Sequence, residues 1–335
     1  MEKKCSVIIL NWNGEQVLNR YLPSVVEHTY NDDYEVVVAD NGSTDNSLSM
    51  LKEKFPTVRI LTFDKNYGFA EGYNLAIKHT HSQYIVLLNS DVEVTQNWLS
   101  PILSYMDEHQ DIAAAQPKIL SDKNRLYFEH AGAAGGYMDA LAYPYCRGRI
   151  LNYVEQDKGQ YDSIADIFWA SGACLVIRTD IFKSVGGLDA DFFAHMEEID
   201  LCWRLNSRGH RLVCVPQSTV YHLGGASLSY DNPRKTYLNF RNNLLMVYKN
   251  AQTFNMLKIL VCRCILDYVA ALQNLLSGHW KNSLAICRAR IDFWRMLPTY
   301  IPKRKINLSL TINPYPNTIS KRLIIFDYYL RGMRK

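Results

Sequence analysis

The chain has 335 residues, of which 48% are hydrophobic and 21% are charged, with a formal net charge of +4. This is ordinary globular composition, with enough apolar residues for a large core. The charge is unevenly divided: residues 1–244 have a net charge of −8 (22 Lys and Arg, 30 Asp and Glu), whereas residues 245–335 have +12 (15 and 3). This asymmetry is the strongest compositional signal.

The cysteines and the chain start indicate a reducing compartment. The eight cysteines include no Cys-x-x-Cys pair and lie mostly in apolar runs, which favours free thiols over disulfides or a zinc cluster. Met1–Cys5 leads directly into a strand-like segment without a secretory signal, so a cytoplasmic location is expected. The longest apolar stretch, 256–276, is interrupted by Lys258, Arg263 and Asp267, and we do not expect it to span a membrane.

The first 120 residues alternate between strand and helix patterns, as βαβ units do. Strands are predicted at 7–10, 36–39, 58–63 and 85–88, and helices at 16–26, 47–55 and 70–78. Right-handed crossovers would make a mostly parallel sheet flanked by helices. The polar segments after the strands, at 11–14, 40–45, 64–68 and 89–91, should then converge at one edge.

The run Tyr84–Leu88 is wholly apolar, which suits a strand covered on both faces, and the polar residues that follow it end at Asp91. Ligands bind at the open ends of such strands in α/β proteins. The alternative is that Asp91 begins a turn before a helix near Trp98.

The later chain is less regular. Residues 127–163 are rich in Gly, Ala and Tyr and predict an insertion or long loop beside the site. An apolar segment at 168–177 precedes a helix at 179–185, the pair Gly186-Gly187 and the acidic run 197–200. Short strands are predicted at 211–215 and 219–222, and helical, basic sequence after about Ser229.

Two loops could contact a nucleotide. Asp40–Asp45 follows a strand and opens a helix, with Gly42 permitting a tight turn, although a plain capped turn is the alternative. Asn66–Asn74 places two glycines and two amides around a helix start, where capping is the alternative. The chain lacks Gly-x-Gly-x-x-Gly and the P-loop spacing, which disfavours a dinucleotide-binding dehydrogenase or an NTPase.

Together these motifs resemble family 2 glycosyltransferases, particularly the rhamnosyltransferase-like branch. The resemblance runs from Ser6 to about Asn243 and rests on six segments in the family's order, at 7–13, 38–45, 66–74, 169–172, 186–189 and 197–204. It implies an α/β fold of the GT-A type, with a nucleotide-sugar half over about 1–120 and an acceptor half over about 121–244. Residues 245–335 would form a basic, amphipathic helical extension.

The resemblance implies a nucleotide-sugar site. The residues that would bind the donor are Asn11, Asn13, Asp40, Asn41, Asn66, Gly68, Asn74, Asn89, Trp169 and Gly172. Asp91 would coordinate Mg²⁺ or Mn²⁺ on the diphosphate, and His222 is either a second ligand or a structural residue. The family often has Asp-x-Asp where this chain has Asn89-Ser-Asp91, which predicts lower metal affinity. For Trp169, core packing is the alternative to stacking on a sugar.

The acidic run Glu197-Glu-Ile-Asp200 should supply a general base, because an inverting transfer needs one carboxylate to remove the acceptor's proton. Relatives usually have Glu-Asp-x-Asp with the first Asp as base, a position that Glu198 occupies here. Glu197 is the alternative base, and Asp200 would orient a neighbour such as Arg204. Some of these charges would also complement the helix dipole.

The basic extension has two interpretations. Arg263, Asp267 and Asn274 share one face of the helix predicted over 256–276, which could pack on the catalytic domain or lie at a membrane surface. Basic residues further on, at 288, 290, 295 and 303–305, are interleaved with Trp280, Trp294 and Tyr300. We expect attraction to anionic lipid or a lipid-diphosphate acceptor rather than a merely solvated face, and no nucleic acid.

The favoured function is an inverting, metal-dependent glycosyltransferase that moves one sugar from dTDP-rhamnose or a UDP-sugar to a growing, lipid-linked glycan at the inner face of the cell membrane. The Gln-x-x-Arg-Trp signature of processive relatives is absent. A sugar nucleotidyltransferase is one alternative, but 11–14 lacks the charged loop that would hold a triphosphate. A non-catalytic glycan-binding protein is the other, because Asn89 and Glu198 depart from the family pattern.

Overall fold

The computed structural model describes residues 3–224 and 232–332. The predicted transition near Ser229, and Gly225 at the end of the His222 segment, lie outside the described residues. All eight cysteines lie within the described residues and are free thiols, as expected.

The strands of the described chain are β1 Lys3–Asn11, β2 Tyr34–Asp40, β3 Arg59–Thr62, β4 Ser82–Leu88, β5 Val92–Val94, β6 Ile112–Ser121, β7 Gly136–Met138, β8 Pro144–Cys146, β9 Arg149–Ile150, β10 Tyr153–Val154, β11 Ala165–Asp166, β12 Cys174–Arg178 and β13 Arg211–His222. The main sheet has the order β11-β13-β6-β12-β4-β1-β2-β3, and β5 pairs with β13. Neighbours β3, β2, β1 and β4 are parallel, whereas β12 is antiparallel to β4 and β6. This confirms the prediction of an α/β fold with a mostly parallel sheet.

The helices of the described chain are α1 Glu15–His28, α2 Ser47–Lys54, α3 Gly68–Lys78, α4 Ser100–Glu108, α5 Thr179–Ser184, α6 Glu197–Ser207, α7 Pro233–Asn250, α8 Thr253–Leu276, α9 Trp280–Ser309 and α10 Ile324–Leu330. A 3₁₀ turn at Ala190–Phe192 precedes α6. The predicted elements before residue 90 are all present, with ends shifted by a few residues.

Both faces of the sheet are buried because its strands are apolar at consecutive positions. Ile8 and Val37 point into the core that contains α3, α5 and α6 residues. Their neighbours Val7, Ile9 and Val38 point into a second core with residues of α1, α2 and α4. Successive side chains alternate between the faces of a strand, so a two-sided sheet needs continuous apolar runs.

Strand β6 has no counterpart in the sequence analysis. Its alanines and Pro117 have low strand propensity, but nine of its ten residues are buried between β12 and β13. The two strands predicted at 211–215 and 219–222 are one strand, β13, with a register shift between Val215 and Thr219. The shift lies opposite Pro117, which has no N–H for the ladder.

The segment predicted as an insertion or long loop contains the antiparallel sheet β10-β9-β8-β7. Its strands are two or three residues long, too short for a period-of-two pattern to be seen in the sequence.

The C-terminal helices pack on the rest of the chain through ion pairs, which are buried at Lys249 and partly exposed at Lys303. Lys249 of α7 lies 2.7 Å from Asp189 and 2.8 Å from Asp200 of α6. Lys303 of α9 contacts Asp189 and lies 2.8 Å from Asp191. The division predicted after residue 244 therefore falls inside α7, a helix whose end is bonded to α6.

Several tail cations expected to attract lipid are instead used internally. Arg290 is buried and pairs with Asp267 at 2.7 Å, and Arg304 is buried and donates to the Ala251 carbonyl at 2.7 Å. Tyr300 is also buried, with its ring stacked over Phe192. Their charges and spacing are visible in the sequence, whereas the groups that they contact are identified only by the fold.

Candidate functional site

Polar residues at the ends of β1 and β2 form a hydrogen-bonded cluster, as predicted. The Asn11 amide donates to Asp40 Oδ1 at 2.9 Å, and the Ser43 backbone N–H donates to Asp40 Oδ2 at 3.0 Å. Asn13 Oδ1 accepts from the Thr44 N–H at 2.7 Å. Asn11 and Asp40 are each 1% exposed, so these bonds fix the loop around them.

A second cluster joins the end of β2 to the start of α3. The Asn41 amide donates to Asn66 Oδ1 at 3.2 Å and to the Gly68 carbonyl at 3.0 Å, while Asn66 Oδ1 accepts from the Gly68 N–H. Gly68 has a φ of 78°, and a Cβ there would lie 2.6 Å from the Phe193 ring. Glycine is therefore required where the loop before α6 contacts α3.

Asp91 and His222 meet beyond the end of β4, because His222 is the last residue of β13 and pairs with Val92 of β5. His222 Nε2 lies 3.1 Å from Asp91 Oδ1 and 3.4 Å from the Asn89 side-chain nitrogen. On the other side of the ring, Nδ1 lies 3.2 Å from Glu129 Oε2. All three residues of this Asp91–His222–Glu129 row are buried.

The row is compensated in charge. Burial opposes protonation of His222, but the carboxylates of Asp91 and Glu129 outweigh it and raise the pKa of the imidazole to about 10. Burial likewise favours the neutral form of Glu129, but His222 holds the pKa of that carboxyl below its ordinary value. The row is thus an imidazolium between two carboxylates, and a cation bound at Nε2 would have to displace the proton there.

Asp91 and His222 fit a divalent cation in spacing. Two ligands about 2.1 Å from an octahedral ion lie about 3 Å apart, close to the 3.1 Å found between Oδ1 and Nε2. Glu129, an ion-pair partner 3.2 Å from Nδ1 without hydrogen-bond geometry, stands where a carboxylate would orient a metal-binding histidine. Within residues 3–224 and 232–332, no three His, Cys, Asp or Glu side chains are grouped to hold an ion. Other ligands would have to come from outside these described residues, such as phosphate oxygens.

The two candidate bases begin α6, after a loop in an unusual conformation. Phe193, His195 and Met196 all have positive φ, between 64° and 74°. Asn242 of α7 holds this loop, since its amide donates to the carbonyls of Phe192, Ala194 and His195 at 2.7–3.0 Å. Left-handed backbone at non-glycine residues is strained and persists where surrounding contacts over-determine it.

Glu197 and Glu198 have no salt-bridge partner among the described residues. In the described chain, neither Glu197 Oε2 nor Glu198 Oε2 has a hydrogen-bond partner, although both atoms are inaccessible to solvent. Burial, with repulsion from Glu198, raises the pKa of Glu197 well above its ordinary value. Burial raises the pKa of Glu198 to about 7. Glu198 can therefore release and accept a proton near neutral pH.

Contacts of the residues just before β12 place Glu198 beside the sheet edge. The Asn89 N–H donates to the Ala173 carbonyl at 3.0 Å. A Cβ at the adjacent Gly172 would lie 3.9 Å from the Glu198 Cβ and 3.3 Å from the Phe69 ring. The absence of a side chain at Gly172 thus leaves room between Glu198 and the start of α3.

Three predicted site residues have structural partners. Asp200 accepts from Arg204 at 3.0 Å, as expected, and also from Asn250 and Lys249. Asn74 bonds both backbone groups of Leu188, at 2.8 and 3.0 Å. Trp169 is 4% exposed, lies against Gly136 and donates to the Tyr137 carbonyl, which favours the core-packing alternative for its ring.

Glu129, Ser43 and Asn242 were not identified from the sequence. Ser43 lies inside the Asp40–Asp45 motif, so its position in a loop after a predicted strand could have identified it as a site residue. Asn242 lies at the end of the family-like part of the chain, but only the structure shows the three carbonyls that it binds. Glu129 carried no local signal, because its contact with His222 joins residues 93 positions apart.

The family model described as Glycosyl transferase family 2 matches residues 6–186. The O-antigen biosynthesis protein RfbC of Myxococcus xanthus is 26% identical over 231 residues, which cover 68% of this chain but only 18% of RfbC. The N-acetylglucosaminyl-diphospho-decaprenol L-rhamnosyltransferase of Mycobacterium tuberculosis is 26% identical over 230 residues, covering 64% of this chain and 75% of that protein.

A solved structure shows the same fold. The mannosyltransferase PcManGT from Pyrobaculum calidifontis, in complex with GDP-Man and Mn²⁺, superposes with a TM-score of 0.53 at 14% identity. The superposition covers 92% of this chain and 84% of that one. With the family match, this similarity confirms the expected GT-A fold.

Proposed function

The chain belongs to glycosyl transferase family 2, in its rhamnosyltransferase-like part, and we propose that it transfers a single sugar from a nucleotide sugar to a glycan with inversion at the anomeric carbon. The proposal rests above all on one observation: Glu198 is a partly buried residue whose Oε2 is inaccessible to solvent and whose pKa is raised to about 7, and it lies beside Gly172, next to the Ala173 carbonyl that binds Asn89. A base is thus close to a candidate diphosphate site.

In the proposed donor site, the nucleoside lies over the Asn11, Asp40 and Ser43 cluster. Asp91 and His222 would hold a divalent cation, Mg²⁺ or Mn²⁺, against the diphosphate. When bound, such an ion offsets the charge that the leaving diphosphate gains. Asn89, beside Ala173, would lie between this site and Glu198. The Mn²⁺ in the mannosyltransferase complex supports a divalent ion.

In the proposed reaction, Glu198 removes the proton of an acceptor hydroxyl as its oxygen attacks the anomeric carbon. The carbon–oxygen bond to the diphosphate breaks on the opposite face, and the diphosphate leaves with the bonding electrons. Glu198 is then protonated, and the product carries the inverted linkage. Glu197 is the alternative base, since its pKa is also raised.

The finer assignments rest on the relatives. Rhamnose is favoured because one relative is named a rhamnosyltransferase, and the same name supports a lipid-linked acceptor. dTDP-rhamnose is therefore the first donor to test and UDP-sugars the second. The acceptor is proposed to be a growing cell-surface glycan, made at the cytoplasmic face of the membrane.

A donor panel tests the proposal. Purified protein with Mn²⁺ should release nucleoside diphosphate from one nucleotide sugar, and an acceptor should increase the rate. Chelation should stop the reaction, and Mn²⁺ or Mg²⁺ should restore it. Release of pyrophosphate from a nucleoside triphosphate and a sugar phosphate would instead show nucleotidyl transfer. Binding without turnover of any donor would favour the non-catalytic alternative.

A further inference from the structure

Helix α8 is amphipathic in the reverse of the usual sense. Its polar residues Arg263 and Asp267 are 3% and 0% exposed, whereas Val261 and Ile265 are 64% and 65% exposed. Its outward apolar row consists of Phe254, Leu257, Val261, Ile265, Tyr268, Val269, Leu272, Leu275 and Leu276. A surface helix in water normally has the opposite arrangement.

The orientation is fixed by buried polar contacts. Arg263 donates to Asn243 of α7 at 2.7 Å and lies 3.2 Å from Asp267. Asp267 also pairs with Arg290 of α9 at 2.7 Å, and the Arg263 guanidinium lies 3.9 Å from the centre of the Tyr143 ring. Rotating the helix to hide its apolar row would leave these charges unpaired.

The apolar surface continues onto α9. There Trp280, Leu284, Ile291, Trp294 and Ile301 are all more than half exposed, at spacings that keep them close to one face. Exposed apolar surface of this extent marks an interaction site rather than ordinary surface. By length and composition, α8 is also apolar enough to cross a membrane, and only 22% of its most apolar 18-residue stretch is buried inside the protein.

The exposed charged residues of the tail, over the part that the structure describes, are all basic. The exposed basic residues of the tail are Lys258, Lys281, Arg288, Arg295, Lys305, Lys321 and Arg331. The only acids after residue 244 are Asp267, Asp292 and Asp327. Asp292 and Asp327 have side chains 17% and 7% exposed, and both lie in salt bridges with arginines. No acid of the tail is therefore exposed.

We propose that the outward faces of α8 and α9 form a docking surface for an anionic membrane, with α8 lying along the interface and its apolar row in the acyl boundary. Apolar area supplies the insertion, and the basic residues supply attraction to lipid headgroups. Two exposed tryptophans suit this depth. The inference deepens the proposed function and rests on it for the lipid-linked acceptor. The surface itself is argued only from residues of the tail.

Vesicle flotation tests the surface. The variant Val261→Ser with Ile265→Ser removes two outward apolar side chains. The matched control is Tyr30→Ser with Leu126→Ser, two exposed residues of the catalytic region (90% and 62%). The wild type and the control should float with phosphatidylglycerol-containing vesicles. The α8 variant should bind these vesicles more weakly by a factor of about ten or more. Phosphatidylcholine vesicles and high salt should weaken wild-type binding.

Several outcomes would overturn the proposal. The proposal is wrong if the wild type does not float, or if the α8 variant floats as well as the control. Light scattering that finds a wild-type dimer, and a monomer in the α8 variant, would show that a second copy of the chain covers the surface. Donor hydrolysis without acceptor is measured in parallel: vesicle binding without donor turnover would preserve this surface and reject the proposed function.

Discussion

Two groups of acids lie near the end of β4, and their surroundings are opposite. In the Asp91–His222–Glu129 row, an imidazole lies between two carboxylates and its pKa rises to about 10. Glu197 and Glu198 are adjacent acids without a salt bridge in the described chain, and their pKa values are raised by burial. One group is stabilised in its charged form and the other in its neutral form.

The difference separates two tasks. The ion-paired row suits binding of a cation and diphosphate, because a divalent cation on Nε2 would take the place of the proton that His222 shares with the carboxylates. A group whose pKa is near neutral suits proton transfer, because it must lose and gain a proton in each cycle. We therefore propose donor binding for the row and base catalysis for the pair.

The largest effect should come from Asp91→Asn. This change removes the carboxylate that would hold the cation, so transfer should fall by about 10³-fold or more. The measurement is nucleoside diphosphate release with acceptor and Mn²⁺. Asp107→Asn is the matched control, because Asp107 bonds Tyr84 at the start of the strand that ends before Asp91. Near wild-type transfer by Asp91→Asn would remove the donor-site role of the row.

Glu198→Gln should lower kcat by about 10²- to 10⁴-fold, the usual contribution of a general base. The glutamine is similar in size but cannot take the acceptor proton. Steady-state kinetics with saturating donor and acceptor would measure this loss. Glu197→Gln is the internal control, and a greater loss there would transfer the base assignment to Glu197.

The pH dependence should distinguish the two groups. Below about pH 7 Glu198 is protonated and cannot act as a base, so kcat should rise with pH through this region. A pH series of initial rates would show the rise, with the stability of the protein checked at each pH. A rate that is flat between about pH 5.5 and about 8.5 would contradict the role of Glu198.

Glu129→Gln should have a smaller effect, about 10- to 100-fold on metal affinity, because Glu129 orients His222 without lying at the donor. Titration of Mn²⁺ against transfer rate would show a higher Mn²⁺ requirement with little change in maximal rate. An unchanged Mn²⁺ requirement would show that the contact at Nδ1 has no role in metal binding.

The smallest effect concerns stability. The pKa of Glu197 is raised in the folded chain, so the neutral form stabilises the fold at low pH and this contribution is lost as pH rises through the folded pKa. Glu197→Gln stays neutral and should raise the Tm by about 2–4 °C at about pH 8, with little change at about pH 4. Thermal unfolding followed by circular dichroism measures this. If Glu197→Gln had a lower Tm than the wild type at the higher pH, the Glu197 carboxylate would have a stabilising partner and the prediction would be wrong.

The sheet edge could be predicted from the sequence because its signals are local. Apolar runs define β1, β2 and β4, and the polar residues Asn11, Asp40 and Asp91 follow them directly. By contrast, β6 is rich in alanine and contains Pro117, so its strand state depends on burial between two neighbours. Glu129 could not be found because its partner is a long-range contact.

The C-terminal extension, residues 245–335, shows what the spacing of residues along a helix cannot predict. The spacing of Arg263 and Asp267 places them on one helical face, but periodicity does not say whether that face points inward. The inward direction follows from partners on other helices, Asn243 and Arg290. For the same reason, the net charge of the tail overstated the number of basic residues available at the surface.

The division between the two acid groups is tested most directly by calorimetric binding of dTDP and UDP, each with Mn²⁺, to Asp91→Asn and Glu198→Gln. We predict that Glu198→Gln binds the preferred nucleotide as the wild type does, while Asp91→Asn binds it more weakly by a factor of about ten or more. Equal binding by Asp91→Asn and the wild type, or weakened binding by Glu198→Gln alone, would contradict the division.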